Sequence, residues 1–200
     1  MNQADGLLIF DNVMTGIDRY LQQQRIKKAS KHIPAGSRLL DIGCHQGEML
    51  LQLANRLSFG VGVDPLCQAT SPHAHIQLHK TNFPFDFSPH WQFDRITALA
   101  LIEHLPNDML LPFFSCCFEC LQPGGQLICS IPSKQVDYIL AVLSTLKLIE
   151  GMSLEQHHGF EVEQTPEIAA KAGFTLLLHQ RFQLGLNNLF VFGKPAMPVL

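Results

Sequence analysis

The chain has 200 residues, of which 46% are hydrophobic and 16% charged, and its formal net charge is -3. This length fits one domain with a substantial core, and the hydrophobic fraction excludes a chain that is disordered throughout. The negative balance offers no broad basic surface, which argues against double-stranded nucleic acid as a partner.

Residues 1–36 are predicted to form one or two leading helices. Apolar residues recur at helical spacing from about Leu7 to Ile33, and the sequence PAG at 34–36 ends the pattern. From there to residue 193, short apolar runs alternate with helical patterns. We therefore expect a single domain over residues 1–200, with the leading helices placed before a core at 37–193.

The core begins with a strand, a glycine turn, a helix and a second strand. RLLDI at 38–42 precedes the turn, EMLLQLANRL at 48–57 has one apolar face, and FGVGVD at 59–64 ends in an acid. Further strands are predicted at 73–79, 93–101 and 126–131. Two more, at 174–182 and 187–193, are joined by a connection short enough for an antiparallel pair.

This alternation predicts an α/β fold, a three-layer sandwich with a seven-stranded, mostly parallel sheet that ends in an antiparallel pair. A helical insertion is expected at about 134–160, where Val136–Ile149 has an unusually wide apolar face. Burial in the core is the first interpretation of this helix, and a lid over a hydrophobic acceptor is the functional interpretation that we favour over a partner surface. Ligands of such sheets bind beyond the carboxyl ends of the strands, so the chemistry is expected after strands one, two and four.

The turn after the first strand, GCHQG at 43–47, brings backbone close to a ligand because glycine has no Cβ. The dinucleotide fingerprint GxGxxG is absent. The stretch Asp41–Gly47 resembles instead the DxGxGxG turn of the class I S-adenosylmethionine-dependent methyltransferases, with His45 at the middle glycine. We expect this substitution to be tolerated because position 45 has ordinary backbone dihedrals.

Three further motifs resemble the same family in the same order. Asp64 corresponds to the acid that binds both ribose hydroxyls, while FDRITALALIEHLP at 93–106 and LQPGGQLICSIPS at 121–133 resemble motifs of the quinone-biosynthesis O-methyltransferase subgroup. The resemblance implies a Rossmann-like fold, S-adenosylmethionine as cofactor and S-adenosylhomocysteine as product. The cofactor-binding residues that it implies are Asp41, Gly43, Cys44, Gly47, Asp64, Pro65, Asn82 and Leu99.

The adenine position departs from the family pattern. The family often has an acid before FPF at 83–85, where this chain has Thr81 and Asn82. The amide oxygen of Asn82 offers an acceptor for the adenine amino group, with a structural turn as the alternative. Together with His45, the missing acid motivates a competing hypothesis, a non-catalytic cofactor-binding protein of the same fold.

Methyl transfer by in-line displacement depends on positioning the acceptor. Where the acceptor carries a proton, it also depends on a base that removes this proton. The candidate bases are Glu103, His104, His157 and His158. The resemblance to quinone-type enzymes favours O-methylation, and the wide apolar face of Val136–Ile149 favours a small, hydrophobic acceptor. A metal-assisted RNA 2′-O-methyltransferase is a less favoured alternative, because the ExxEH ligand motif of those enzymes lacks its first glutamate here, at Ala100. We therefore predict no bound metal.

We expect a cytoplasmic protein. The N-terminal run LLIF is too short for a signal peptide, and no run of roughly 18 apolar residues predicts a membrane span. The six cysteines fall mostly within apolar or helical patterns, which is typical of free thiols in a reducing compartment. CCFEC at 116–120 contains a CxxC, but no second Cys or His pair follows at zinc spacing.

Overall fold

The computed structural model describes residues 16–87, 91–133 and 161–196. Within these ranges, one leading helix, α1, spans Gly16–Ala29 and is followed by a 3-10 turn at Ser30–His32. The predicted insertion at 134–160, with its helix Val136–Ile149, lies outside the described residues. The candidate bases His157 and His158 lie outside them as well.

One mixed sheet organises the described residues. Its strands are β1 (Arg38–Ile42), β2 (Phe59–Val63), β3 (Thr70–His73), β4 (Ile76–His79), β5 (Phe93–Leu99), β6 (Leu121–Pro132), β7 (Thr175–Phe182) and β8 (Asn187–Gly193). Their order across the sheet is β3-β4-β2-β1-β5-β6-β8-β7. The strands from β4 to β6 are parallel, whereas β8 is antiparallel to both β6 and β7. The predicted α/β fold with a closing antiparallel pair is confirmed.

The predicted number of seven strands is wrong, because the sheet has eight. The run at 73–79, read as one strand, is two antiparallel strands, β3 and β4, that turn at residues 74–75. His75 holds the turn, since its Nε2 lies 2.8 Å from the carbonyl oxygen of Ala54. Pro72 is compatible with β3 because β3 is an edge strand, where a missing N–H costs no ladder bond.

Helices cover both faces of the sheet. They are α2 (Glu48–Leu53), α3 (Asn107–Cys120) and α4 (Thr165–Lys171), with short 3-10 turns at Ala54–Arg56, Ile102–His104 and Val162–Gln164. One apolar core packs α3 and α4 against the sheet, and a second packs α1 and α2 against the other face. This arrangement is the expected three-layer sandwich.

All six cysteines are free thiols, and five of them are buried in the core, as their apolar sequence surroundings predicted. Cys117 and Cys120, the pair of the CxxC, point into the first core from α3. Among the described residues, no helix is both long and apolar enough to cross a bilayer.

The strand register brings four chain segments to one edge of the sheet. Ile42 at the end of β1 pairs with Val63 on one side and with Ala98 on the other, and Leu99 pairs with Ser130 of β6. The chain leaves β1 toward β2 and later returns on the other side of β1, at β5. This reversal is the topological switch point, where α/β sheets bind their ligands.

Candidate functional site

The glycine turn leaves β1 through three left-handed residues. Gly43, His45 and Gly47 have φ values of 73°, 48° and 83°. The N–H groups of Gly43 and Cys44 donate to the carbonyl oxygen of Val63 at 2.9 and 3.3 Å, so the turn is fixed to the end of β2. Glycine is favoured at both ends because of these left-handed φ values, and the leucines Leu101 and Leu78 also leave little room, since a Cβ on Gly43 or Gly47 would lie 3.2 or 3.0 Å from them.

His45 does not have the ordinary dihedrals that its place in the motif led us to expect. Its φ of 48° is left-handed, the conformation that glycine would adopt there, so the histidine leaves the turn open at a modest cost in strain. The imidazole is half-exposed, with Nδ1 lying 3.0 Å from Oε1 of Glu48. The histidine therefore adopts a left-handed conformation that glycine would adopt without strain.

Cys44 differs from the other residues of the turn because its side chain points inward. It is buried, and its Sγ donates weakly to the carbonyl oxygen of His45 at 3.6 Å. Burial raises the pKa of the Cys44 thiol well above its usual range, so the thiol stays protonated. The side chain of Cys44 is therefore turned away from the exposed surface of the glycine turn.

Asp64 follows β2 and holds two main-chain donors. Its Oδ2 accepts from the N–H of His45 at 3.0 Å, and its Oδ1 accepts from the N–H of Leu66 at 2.7 Å. The carboxylate thus joins the glycine turn to the loop after β2. Each oxygen keeps a second lone pair, so the group can still accept two hydrogen bonds from a ligand. Pro65 and Leu66 beside it are exposed, Leu66 at 79%.

Asp41, the last polar residue of β1, is buried at 5% exposure. Its Oδ1 accepts a 2.6 Å hydrogen bond from the hydroxyl of Thr97 on β5. Burial raises the pKa of Asp41 to about 7, and the charges of Glu48 and Asp64 act in the same direction, while the Thr97 hydrogen bond opposes them. Thr97 was missed by the sequence analysis, although a polar residue inside the apolar run ITALAL is a signal.

Asn82 forms the structural turn that was the alternative interpretation of its sequence position. Its amide Nδ2 donates to Oδ2 of Asp86 at 3.0 Å and its carbonyl accepts from the N–H of Asp86 at 2.9 Å, which is a turn. The amide oxygen is left to accept from a ligand. The neighbouring Thr81 donates its N–H to the carbonyl of Asp64 at 3.3 Å, which brings this loop close to Asp64. Asp86 is an acid beside Asn82 that the sequence analysis did not single out.

Glu103 and His104 lie after β5, on the other side of the glycine turn. Beyond Leu99 the chain bends at Ala100, whose φ is 52° and whose N–H donates to the Ser130 carbonyl at 2.8 Å. The following 3-10 turn buries Glu103 at 2% exposure and leaves His104 exposed, with 3.9 Å between His104 Nε2 and Glu103 Oε1. The buried acid therefore belongs to the same edge as Asp41 and Asp64.

The described ranges thus bring together Asp41, the glycine turn, Asp64, Asn82 and Glu103 along one edge. They contain no group of three or more His, Cys, Asp or Glu side chains arranged to hold a metal ion. His157 and His158 lie outside these ranges, so their place relative to the edge stays a prediction.

Comparison with known proteins identifies a family for the chain. The family described as a methyltransferase domain matches residues 14–179. The mitochondrial ubiquinone biosynthesis O-methyltransferase of Rattus norvegicus is 26% identical over 165 residues, which cover 74% of this chain and 47% of that protein. The ubiquinone biosynthesis O-methyltransferase of Psychrobacter arcticus is 26% identical over 182 residues, covering 84% and 68%. The chain spans about half the length of the mitochondrial relatives it matches.

Solved structures show the same fold. The N-methyltransferase NodS from Bradyrhizobium japonicum, in complex with S-adenosyl-L-homocysteine, superposes with a TM-score of 0.62 at 18% identity, covering 96% of this chain and 94% of that one. The resemblance drawn from the four motifs, and the Rossmann-like methyltransferase fold that it implied, are confirmed.

Proposed function

Because the chain belongs to the methyltransferase domain family, we propose that it transfers a methyl group from S-adenosylmethionine to a small, hydrophobic acceptor. One observation carries this proposal: a left-handed glycine turn whose N–H at His45 fixes the Asp64 carboxylate at 3.0 Å. That arrangement presents the two carboxylate oxygens of Asp64 as hydrogen-bond acceptors next to exposed backbone, at the switch point of the sheet.

The two acids suit different parts of the cofactor. Asp64 would hold the ribose, since its remaining lone pairs match the two hydroxyls of a vicinal diol. Asp41 would face the methionine end, where an ammonium group needs a carboxylate. Pro65 and Asn82 would flank the adenine. When bound, the cofactor supplies an electrophilic methyl group on a sulfonium.

O-methylation is the favoured reaction. The relatives from Rattus norvegicus and Psychrobacter arcticus are both named as O-methyltransferases of ubiquinone biosynthesis. A hydroxyl acceptor loses a proton during transfer, and Glu103 is a buried carboxyl at the right edge to receive it. His104, His157 and His158 remain the alternative bases. The free thiols suit a reducing compartment, and we place the protein in the cytoplasm.

One of the two observations that motivated the competing proposal, a cofactor-binding protein without catalysis, no longer supports it. It was motivated by His45, but the turn keeps its left-handed path with histidine in place. The metal-assisted RNA reaction would depend on His157 and His158 joining Glu103 and His104.

Transfer of label from methyl-labelled S-adenosylmethionine tests the proposal directly. The acceptor panel contains hydroxylated aromatic compounds with and without an apolar tail, together with amines of similar size. We expect label on oxygen, and most of it on tailed compounds. Label on nitrogen would overturn O-methylation, and tight cofactor binding without transfer to any acceptor would favour the non-catalytic protein.

The base is tested by Glu103→Gln in the same assay, with Glu119→Gln at the exposed end of α3 as control. Loss of a general base lowers turnover by about 100-fold. We expect that loss for Glu103→Gln with unchanged cofactor affinity, and wild-type turnover for Glu119→Gln. Unchanged turnover in Glu103→Gln would remove this residue as the base.

A further inference from the structure

Among the described residues, none of the charged groups that affect the pKa of Asp41 is a cation. Glu48 faces it from α2 and Asp64 from the end of β2, and both are acids. His45 lies in the same turn, but its imidazole is paired with Glu48. The thiols of Cys44 and Cys67, which share this core, stay neutral because burial raises their pKa values.

Thr97 is the one described side chain that donates a hydrogen bond to this carboxyl, and the sheet fixes its place. Asp41 and Thr97 are directly paired in the parallel register of β1 and β5. The hydroxyl is fully buried, and its 2.6 Å distance to Oδ1 is typical of a hydrogen bond to a carboxylate. Thr97 therefore sets the rotamer of Asp41 and favours its ionised form.

We propose that Thr97 positions Asp41 for the ammonium group of the cofactor, and that Asp41 releases a proton to solvent when the cofactor binds. This inference rests on the proposed function. The balance is simple: a buried carboxylic acid loses one proton to the buffer, the ammonium keeps its own, and the complex holds a carboxylate beside a cation. No bond to carbon or sulfur changes in this step.

The pKa of Asp41 means that the proton release can be measured near neutral pH. Burial first, and Glu48 and Asp64 after it, raise the pKa of Asp41 to about 7 in the free protein. A cation that binds beside the carboxyl favours its charged form. Because binding then needs the ionised form, cofactor affinity rises with pH, and we expect it to be about tenfold weaker at pH 6 than at pH 7.5.

Calorimetric titration with S-adenosylhomocysteine at pH 6.5, repeated in buffers of different ionisation enthalpy, counts the protons. We expect release of about three quarters of a proton per cofactor bound. As a matched ligand, 5′-methylthioadenosine lacks the amino acid part and should bind with no release. Binding of S-adenosylhomocysteine without proton release would overturn the inference and leave the proposed function standing, whereas no binding at all would overturn both.

Variants separate positioning from a merely structural role. Thr97→Val removes the hydroxyl at nearly equal volume, so the midpoint of the affinity–pH curve should move up by about one unit. Thr97→Ser should restore the wild-type curve, and Thr175→Val, an exposed threonine of β7, should not change it. Asp41→Asn should bind with no proton release. An affinity loss in Thr97→Val that is equal at all pH values would contradict the proposal.

Discussion

Two acids stand at the ends of neighbouring strands, and their surroundings are opposite. Asp64, after β2, is half-buried and accepts from two main-chain N–H groups. Asp41, at the end of β1, is buried among acids and accepts one hydrogen bond from the Thr97 side chain. The first environment fixes the direction of the carboxylate, whereas burial in the second raises the pKa of Asp41, so that its proton can be exchanged.

The difference indicates a division of labour within one site. A carboxylate held by two main-chain N–H groups keeps its direction whether or not a ligand is bound and has lone pairs left, so it suits an anchor for neutral hydroxyls. A carboxyl whose pKa is raised by burial changes its charge when a cation arrives, so it suits recognition of the charged end of a ligand. Each prediction below acts on one of the two acids or on the turn between them.

The largest effect is expected at the anchor. Asp64→Ala removes two hydrogen bonds to a charged acceptor, and we expect cofactor affinity to fall by about 1000-fold, on the order of 4 kcal/mol. Asp94→Ala is the matched control, because Asp94 also accepts a main-chain N–H, that of Arg38 at 2.8 Å, at the opposite edge of the sheet. Calorimetry on both variants measures the difference, and equal losses would show that only folding was disturbed.

The second effect is a rise in the free energy of unfolding when Asp41 is replaced by asparagine. The unfolded chain loses this proton near pH 3.8, whereas the folded protein holds it to about pH 7. Between these values the folded state binds more protons, so the free energy of unfolding falls as pH rises. Asp41→Asn removes that penalty, and we expect the variant to be more stable than the wild type at pH 8 by the order of 2–4 kcal/mol.

Urea unfolding at pH 4 and pH 8 measures this gain. The advantage of Asp41→Asn should nearly vanish at pH 4, where the wild-type carboxyl is protonated in the folded state and close to half protonated in the unfolded chain. An advantage of equal size at the two pH values would mean that the amide improves packing and that the acidity of Asp41 is not the cause.

The smallest effect is expected at the turn between the acids. His45→Gly relieves a left-handed non-glycine residue and should change the free energy of unfolding by less than about 1 kcal/mol, with the cofactor affinity retained. His45→Ala keeps the strain and removes the contact with Glu48, so it should be the less stable of the two. A large loss of cofactor affinity in His45→Gly would show that the imidazole binds the cofactor. It would contradict the expectation that this turn contacts the cofactor through its main chain.

The anchor could be predicted from the sequence because it is local. The glycine turn and Asp64 follow directly from strands whose apolar runs are clear, and the antiparallel pair follows from a short connection. Thr97 could not be predicted, since its role depends on the cross-strand partner that the register of β1 and β5 supplies. Strand β3 was missed because Ser71 and Pro72 give no strand pattern, and only pairing with β4 holds that edge.

The most direct test of the central claim is a crystal structure of the protein with S-adenosylhomocysteine. We expect both ribose hydroxyls within about 2.5–2.8 Å of the Asp64 carboxylate oxygens, and the amino group of the ligand on the Asp41 side of the glycine turn. A ribose bound away from Asp64, or a ligand bound at another edge of the sheet, would contradict it.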